Sequence, residues 1–87
     1  MLAKFTSIIR KSPARGGWSY VIWPESAAFF ETRARVKVLA SANGQELATS
    51  FMPLGDGNHK LPLTGALLKS IGKAPGDDIE IVVLERI

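Results

Sequence analysis

The sequence predicts a mainly β fold with two short helices, in which two pseudo-symmetric halves form one small barrel. Asn43-Gly44 separates two segments in which apolar and polar residues alternate, and this pair is preferred in two-residue type I′ hairpins. The order strand, proline, short helix, strand describes Trp18 to Ala42 and again His59 to Leu84. Because the chain has 87 residues, of which 46% are hydrophobic and 22% charged, we expect residues 1–87 to fold as a single soluble domain.

Residues 1–23 predict two strands separated by a loop. Leu2 to Lys11 alternates loosely between apolar and polar residues and is expected to form one strand. Ser12 to Gly17 contains a proline and two glycines, which is typical of a loop. Trp18 to Trp23 is rich in aromatic and β-branched residues and therefore favours a strand.

Pro24 ends this strand and is expected to open a short helix from about Glu25 to Glu31, because its fixed φ suits the first helical turn. Ala27 and Phe30 are expected to share one face of this helix. The hairpin follows, with strands predicted from Arg33 to Ala42 and from Gln45 to Met52. Its register pairs Ala42 with Gln45, Ala40 with Leu47, Val38 with Thr49, and Val36 with Phe51. The opposite, polar face is expected to carry Arg35, Lys37, Ser41 and Glu46.

The C-terminal part predicts a strand, a helix and a final strand. The helix, Gly65 to Ile71, has Thr64 as its natural N-cap and Gly72 as its left-handed end. Ala74 to Asp77 fits a type II turn, because proline and glycine occupy its two central positions. The two strands are His59 to Leu63 and Asp78 to Arg86. The apolar interior is expected to include Val36, Val38, Phe51, Leu67 and Ile81.

No metal or cofactor is expected. The chain has no cysteine, which excludes disulfides and zinc sites built on thiolates, and His59 is its single histidine. Asp77, Asp78 and Glu80 bring three carboxylates together, but a hard cation requires more oxygen ligands in a suitably spaced loop. Turn formation by Asp77 and a polar start to the last strand explain these residues better.

The net charge of +3 is concentrated at the N-terminus, where residues 1–24 contain four basic and no acidic residues. Such a segment attracts polyanions or protects an exposed edge strand, and the second interpretation is favoured. No secretory signal or membrane-spanning segment is evident, so a cytoplasmic location and no membrane partner are expected.

The segment Gly55-Asp56-Gly57-Asn58-His59-Lys60 is a candidate anion-binding loop, because backbone amides in glycine-rich loops can bind anions. It lacks the spacing of a phosphate-binding loop and precedes a strand, so a connecting loop is the favoured interpretation. Ser50, Asp56 and His59 provide the residue types of a catalytic triad, but no nucleophile elbow or oxyanion hole accompanies them. His59 is instead expected to be a partly exposed strand residue.

Trp18 and Tyr20 share one strand face, and Arg10, Lys11 and Arg15 lie nearby in sequence. Aromatic residues beside basic ones can stack on single-stranded nucleic acid. Core packing is nevertheless the favoured role of these rings, with Trp18 partly exposed after Gly16-Gly17.

Several short motifs, in order and spacing, resemble a family of small bacterial domains of unknown function with a double-split β-barrel. The motifs are Val21-Ile22-Trp23-Pro24, Arg35-Val36-Lys37-Val38, Asn43-Gly44, Met52-Pro53-Leu54-Gly55-Asp56-Gly57, His59-Lys60-Leu61-Pro62, Gly72-Lys73 and Gly76-Asp77. They cover about Phe5 to Glu85. The second half is also similar to the swapped hairpin of AbrB/MazE-type proteins, which complete such a barrel with two chains.

The resemblance implies a double-split barrel, but no activity and no site residues. Members often stand beside a bacteriocin-protection-type domain, for which this chain has no room. Because both halves are present in one chain, a monomer can complete the barrel, and a homodimer is the alternative.

Three functions are compatible with the sequence. A non-catalytic binding or accessory module, with another protein as a possible partner, is favoured. The alternatives are a nucleic-acid binder, and a small-ligand binder or enzyme with an unrecognised pocket. Convergence of Arg10, Lys11, Arg15 and Lys37 on one face is the observation that favours nucleic acid. The candidate binding surface comprises Arg10, Lys11, Arg15, Trp18, Gly55, Asp56, Gly57, His59 and Lys60.

Overall fold

The computed structural model describes residues 1–13, 17–54 and 58–87, which form seven β-strands and two α-helices. In chain order these are β1 (Ala3–Ile8), β2 (Arg10–Lys11), β3 (Ser19–Trp23), α1 (Ser26–Phe30), β4 (Val36–Ala42), β5 (Gln45–Pro53), β6 (His59–Leu63), α2 (Gly65–Ile71) and β7 (Asp78–Arg86). The strands form one antiparallel sheet in the order β1-β7-β4-β5-β6-β3-β2. The mainly β prediction is confirmed.

β1 and β2 are the two edge strands of this sheet, and they follow each other in the chain. The sheet is therefore nearly closed into a barrel. The predicted single strand from Leu2 to Lys11 is wrong, because the chain changes neighbours at Ile9 and pairs first with β7 and then with β3. The amide of Ile9 donates to the carbonyl oxygen of Asp77 at 2.8 Å, and its own carbonyl accepts from Gly76 at 2.8 Å. These two hydrogen bonds attach Ile9 to the turn that precedes β7. The hydroxyl of Ser7 donates to the carbonyl oxygen of Ile22 at 3.1 Å near the closure.

A second strand also divides its pairing. β5 pairs with β4 along most of its length and with β6 only at its end, where Met52 is opposite Lys60 and Pro53 is opposite His59. The segment of β1 and β2 divides its pairing between β7 and β3, and β5 divides its pairing between β4 and β6. These two divided segments are the two splits of the barrel. The predicted double-split architecture is therefore confirmed.

The hairpin has the predicted register at all four pairs. Asn43 and Gly44 have φ values of 47° and 89°, as a type I′ turn requires. The first strand begins at Val36 rather than Arg33, because the Thr32 hydroxyl accepts from the amide of Ala34 at 3.1 Å and forms a local turn instead. Ser41 lies on the predicted polar face, opposite Glu46, but it is not exposed there. Its short side chain is buried between its longer neighbours across the strands, Glu46 and Val82.

The C-terminal helix has the predicted bounds and ends. The Thr64 hydroxyl accepts from the amide of Leu67 at 3.1 Å, and Gly72 adopts the left-handed conformation. The turn from Ala74 to Asp77 closes with a 3.0 Å backbone hydrogen bond. The first helix is shorter than predicted, because Glu31 takes a left-handed φ of 58° and ends it.

The interior of the barrel contains the predicted core residues. All five are buried, and α1 contributes Phe30 and Ser26, whereas Ala27 is only half-buried. An aromatic cluster fills one part of this interior, with the Phe5 and Trp23 rings stacked at a centroid distance of 4.8 Å. No helix in the described part of the chain is long and apolar enough to cross a membrane.

Candidate functional site

His59 lies in the interior and not at the surface, so the prediction of partial exposure is wrong. Its side chain is 0% exposed, as is that of Ser26 on α1. Nε2 lies 2.7 Å from the carbonyl oxygen of Ala34, and Nδ1 lies 2.8 Å from the Ser26 hydroxyl. A carbonyl only accepts, so Nε2 carries the proton and Nδ1 accepts from Ser26. The backbone amide of His59 in turn donates to Ser26 Oγ at 3.1 Å.

These contacts form a structural link that we call the Ser26–His59 clasp. It connects β6 to α1 and to the segment before β4 by hydrogen bonds that span 33 and 25 residues of sequence. The His59 ring also makes T-shaped contacts with the rings of Phe30 and Phe51, at centroid distances of 6.2 and 6.3 Å.

Both ring nitrogens of His59 have partners other than those of the triad suggested by the sequence, Ser50 and Asp56. His59 contacts Ser26 rather than Ser50, and Asp56 lies outside the described residues. A signal for the burial of His59 was present: alternation places it on the same strand face as Leu61 and Leu63, both of which are buried. Nothing in the sequence singles out Ser26 as its partner.

The carboxylates of Asp77 and Asp78 and the backbone amide of Glu80 have separate partners. Asp77 Oδ2 accepts from the amide of Ala74 at 2.9 Å, which confirms the predicted turn formation. Asp78 lies 3.7 Å from the ammonium of Lys73, and the amide of Glu80 donates to Asn43 Oδ1 at 2.9 Å. Within residues 1–13, 17–54 and 58–87, no group of three potential ligands is arranged to hold a metal.

A surface of mixed aromatic and basic character covers the outside of β2, β3 and β6. Arg10 is opposite Tyr20, Tyr20 is opposite Pro62, and Ile22 is opposite Lys60. Directly opposite residues point to the same side of a sheet, and the intervening residues face the core. Trp18 continues the row. We call this surface the aromatic–basic face, and it comprises Arg10, Trp18, Tyr20, Ile22, Lys60 and Pro62.

Trp18 is the most exposed aromatic side chain on this face. It is 63% exposed, so the favoured core role is wrong for Trp18, although Trp23, at 8%, does serve the core. The amide of Ser12 donates to the carbonyl oxygen of Trp18 at 2.9 Å, which extends the pairing of β2 and β3 to this residue. Tyr20 is half-buried, with the ammonium of Lys60 5.6 Å from its ring centroid.

A cleft of about 400 Å³ borders Trp18. Its other lining residues are Lys11, Gly17, Ser19, Leu63, Thr64 and Gly65. Lys11 is opposite Ser19 in the β2–β3 pair, so its side chain belongs to the cleft and not to the row of Arg10 and Tyr20. A second, more polar cleft of about 220 Å³ lies at Thr6, Asn43, Lys73, Asp78, Ile79 and Glu80.

The structure brings together only part of the predicted binding surface. Arg10, Lys11, Trp18 and Lys60 lie around β3, whereas His59 is enclosed in the clasp. Lys37 is on β4, opposite Ser50, so it does not join them, and the convergence that included Lys37 does not occur. The remaining predicted residues, Arg15, Gly55, Asp56 and Gly57, lie outside the described residues.

The antiparallel sheet with its two divided strands defines the protein as a small, nearly closed double-split β-barrel. The family model "Domain of unknown function (DUF1905)" matches residues 5–83, and the chain belongs to this family. This finding confirms the resemblance to a family of unknown function. The bacterial origin and the neighbouring domain stay predictions. No curated protein matches the sequence significantly.

Proposed function

We propose that the protein is a non-catalytic binding module that contacts its partner through the aromatic–basic face. The observation that carries this proposal is the exposed ring of Trp18 beside a cleft that Lys11 also lines. Tryptophan, tyrosine and arginine dominate the energetic centres of binding interfaces, because a large rigid ring gains much contact area at little conformational cost.

The charges of this face define the kind of partner. The face carries Arg10 and Lys60, Lys11 lines the adjoining cleft, and β2, β3 and β6 contain no acidic residue. The complementary partner therefore presents negative charge together with a flat or apolar group that covers Trp18. The cytoplasmic location and the independence from cofactors stay predictions.

Trp18→Ala tests the proposal, and Ile87→Ala is its matched control. Both side chains are 63% exposed, but Ile87 follows β7 and is not part of the aromatic–basic face. The immobilised wild type and both variants are incubated with a cell extract, and the retained proteins and nucleic acids are identified. We expect a set of molecules that wild type and Ile87→Ala retain and Trp18→Ala loses.

Circular dichroism and thermal melting establish that both variants are folded. A Trp18→Ala variant that keeps the native fold and retains the same molecules as wild type contradicts the proposal. Loss of the same molecules from both variants also contradicts it, because the loss then reflects general surface hydrophobicity.

A further inference from the structure

The two aromatic residues of the face, Trp18 and Tyr20, follow each other along the direction of β3. Trp18 and Tyr20 are two positions apart, so their side chains emerge on the same side at a separation of about 7 Å. Trp18 is open to solvent, whereas Tyr20 lies partly beneath the ammonium of Lys60. The row thus offers one free ring for stacking and, next to it, a second ring with a cation already in place.

Cations flank this row on both sides. Arg10 reaches it from β2, directly opposite Tyr20, and Lys60 reaches it from β6. Lys11 lines the cleft that borders Trp18. β2, β3 and β6 contain no acidic residue, so no carboxylate of these strands opposes the positive charge of Arg10 and Lys60. This arrangement is complementary to a chain of negative charges that also carries flat rings.

The secondary structure argues for a single strand rather than a duplex. Reading a duplex through its major groove requires a helix or a β-ribbon that enters the groove. Here the helices have five and seven residues, and the exposed ring is carried by a sheet surface. A side chain such as Trp18 stacks only on a base that is not enclosed by its neighbours, which is the situation in single strands.

We infer that the aromatic–basic face binds single-stranded nucleic acid, with a base stacked on Trp18, phosphates contacting Arg10 and Lys60 on the face, and a further phosphate contacting Lys11 in the adjoining cleft. This inference rests on the proposed function, because it uses the same face and specifies its partner. The surface of three short strands accommodates a short segment, near the lower end of the roughly 4–16 nucleotides bound by comparable small barrels. Stacking tolerates every base, so little sequence preference is expected.

The test uses fluorescence anisotropy of a labelled oligothymidine of about eight nucleotides. The purified protein is titrated in salt from about 50 mM to about 200 mM, because phosphate contacts release counterions and make affinity salt-dependent. Loss of one stacked base predicts that Trp18→Ala binds about 5- to 150-fold more weakly than wild type. Trp18→Phe retains a ring and is expected to recover part of this loss.

The cationic contribution is tested with a pair of lysine variants. Lys60→Ala is expected to weaken binding and to reduce the slope of log affinity against log salt by about one. Lys37→Ala is the matched control, because Lys37 is an exposed strand lysine on β4, outside the face, and is expected to bind like wild type. A second control is oligothymidine annealed to its complement, which is expected to bind more weakly than the single strand.

Three results overturn the inference: no binding of the oligonucleotide at the lowest salt, equal affinity of Trp18→Ala and wild type, or equal binding of single strand and duplex. Equal affinity of Trp18→Ala and wild type indicates that the protein attracts a polyanion without stacking a base on Trp18. If proteins alone are lost by Trp18→Ala in the extract experiment and the oligonucleotide does not bind, the proposed function stands and this inference fails. If Trp18→Ala loses nothing in either experiment, both fail.

Discussion

The Ser26–His59 clasp makes a quantitative prediction about the stability of the barrel. Ser26→Ala removes the hydroxyl that donates to His59 Nδ1 and accepts from the backbone amide of His59. Both of these atoms then lose this partner in an interior position. An unsatisfied buried polar group costs about 1–3 kcal/mol, so we expect the variant to lose about 2–4 kcal/mol of its free energy of unfolding. For a chain of this size, this loss lowers Tm by about 8–32 °C.

Urea unfolding, followed by circular dichroism and by tryptophan fluorescence, measures this change. We expect a lower midpoint with an unchanged slope, because the surface exposed on unfolding is nearly the same. Ser70→Ala is the matched control, because Ser70 is an exposed serine of α2, and its free energy of unfolding is expected to stay within about 0.5 kcal/mol of wild type.

A double-mutant cycle separates the hydrogen bonds from the packing. His59→Phe replaces the imidazole by an apolar ring among Phe30 and Phe51, and combining it with Ser26→Ala removes both polar partners. The double variant is expected to be less destabilised than the sum of the single variants, because neither side chain then leaves the other unpaired. A free energy of unfolding for Ser26→Ala within about 0.5 kcal/mol of wild type contradicts the reasoning.

The remaining predictions concern the turn, the second helix and the two tryptophans. Gly44→Ala is expected to cost about 1–2 kcal/mol because its φ is +89°, whereas Gly65→Ala, which also has no atom within 4 Å of the added Cβ, is expected to be neutral or stabilising in thermal melts. Thr64→Ala removes the N-cap hydrogen bond, and urea unfolding is expected to show a loss of about 1 kcal/mol; an unchanged midpoint argues against that cap. Trp23→Ala is expected to cost about 3–5 kcal/mol and Trp18→Phe less than about 0.5 kcal/mol. Acrylamide is expected to quench wild type more strongly than Trp18→Phe, since Trp23 is buried, and equal quenching contradicts the assigned exposure.

The sequence correctly predicted the features that depend on neighbouring residues. Asn43-Gly44 tolerates positive φ, which decided the turn and with it the hairpin register. Thr64 and Gly72 determine the two ends of the second helix, because a cap satisfies backbone amides and carbonyls within one helical turn. The family resemblance, which integrates many weak motifs, supplied the double-split arrangement that no single motif predicts.

The candidate site was predicted only in part. The sequence identifies Arg10, Lys11, Trp18 and Lys60, but it does not show that Lys37 lies apart from Arg10 and Lys11 or that Tyr20 contacts Lys60. Strand alternation identifies which residues share a face within one strand. It does not identify which strands become neighbours, and this decides whether distant basic residues meet.

By itself, therefore, the sequence determined turns, helix ends and strand faces, since these follow from backbone preferences over a few residues. Only the tertiary structure decided that the first strand divides at Ile9, that His59 is enclosed and how far Trp18 is exposed. Ile9 bonds to the turn at Gly76 and Asp77, and His59 bonds to Ser26 across 33 residues of sequence. Such contacts form only when the barrel closes, because closure supplies the partners that satisfy buried polar groups and determines which aromatic rings the small core accommodates.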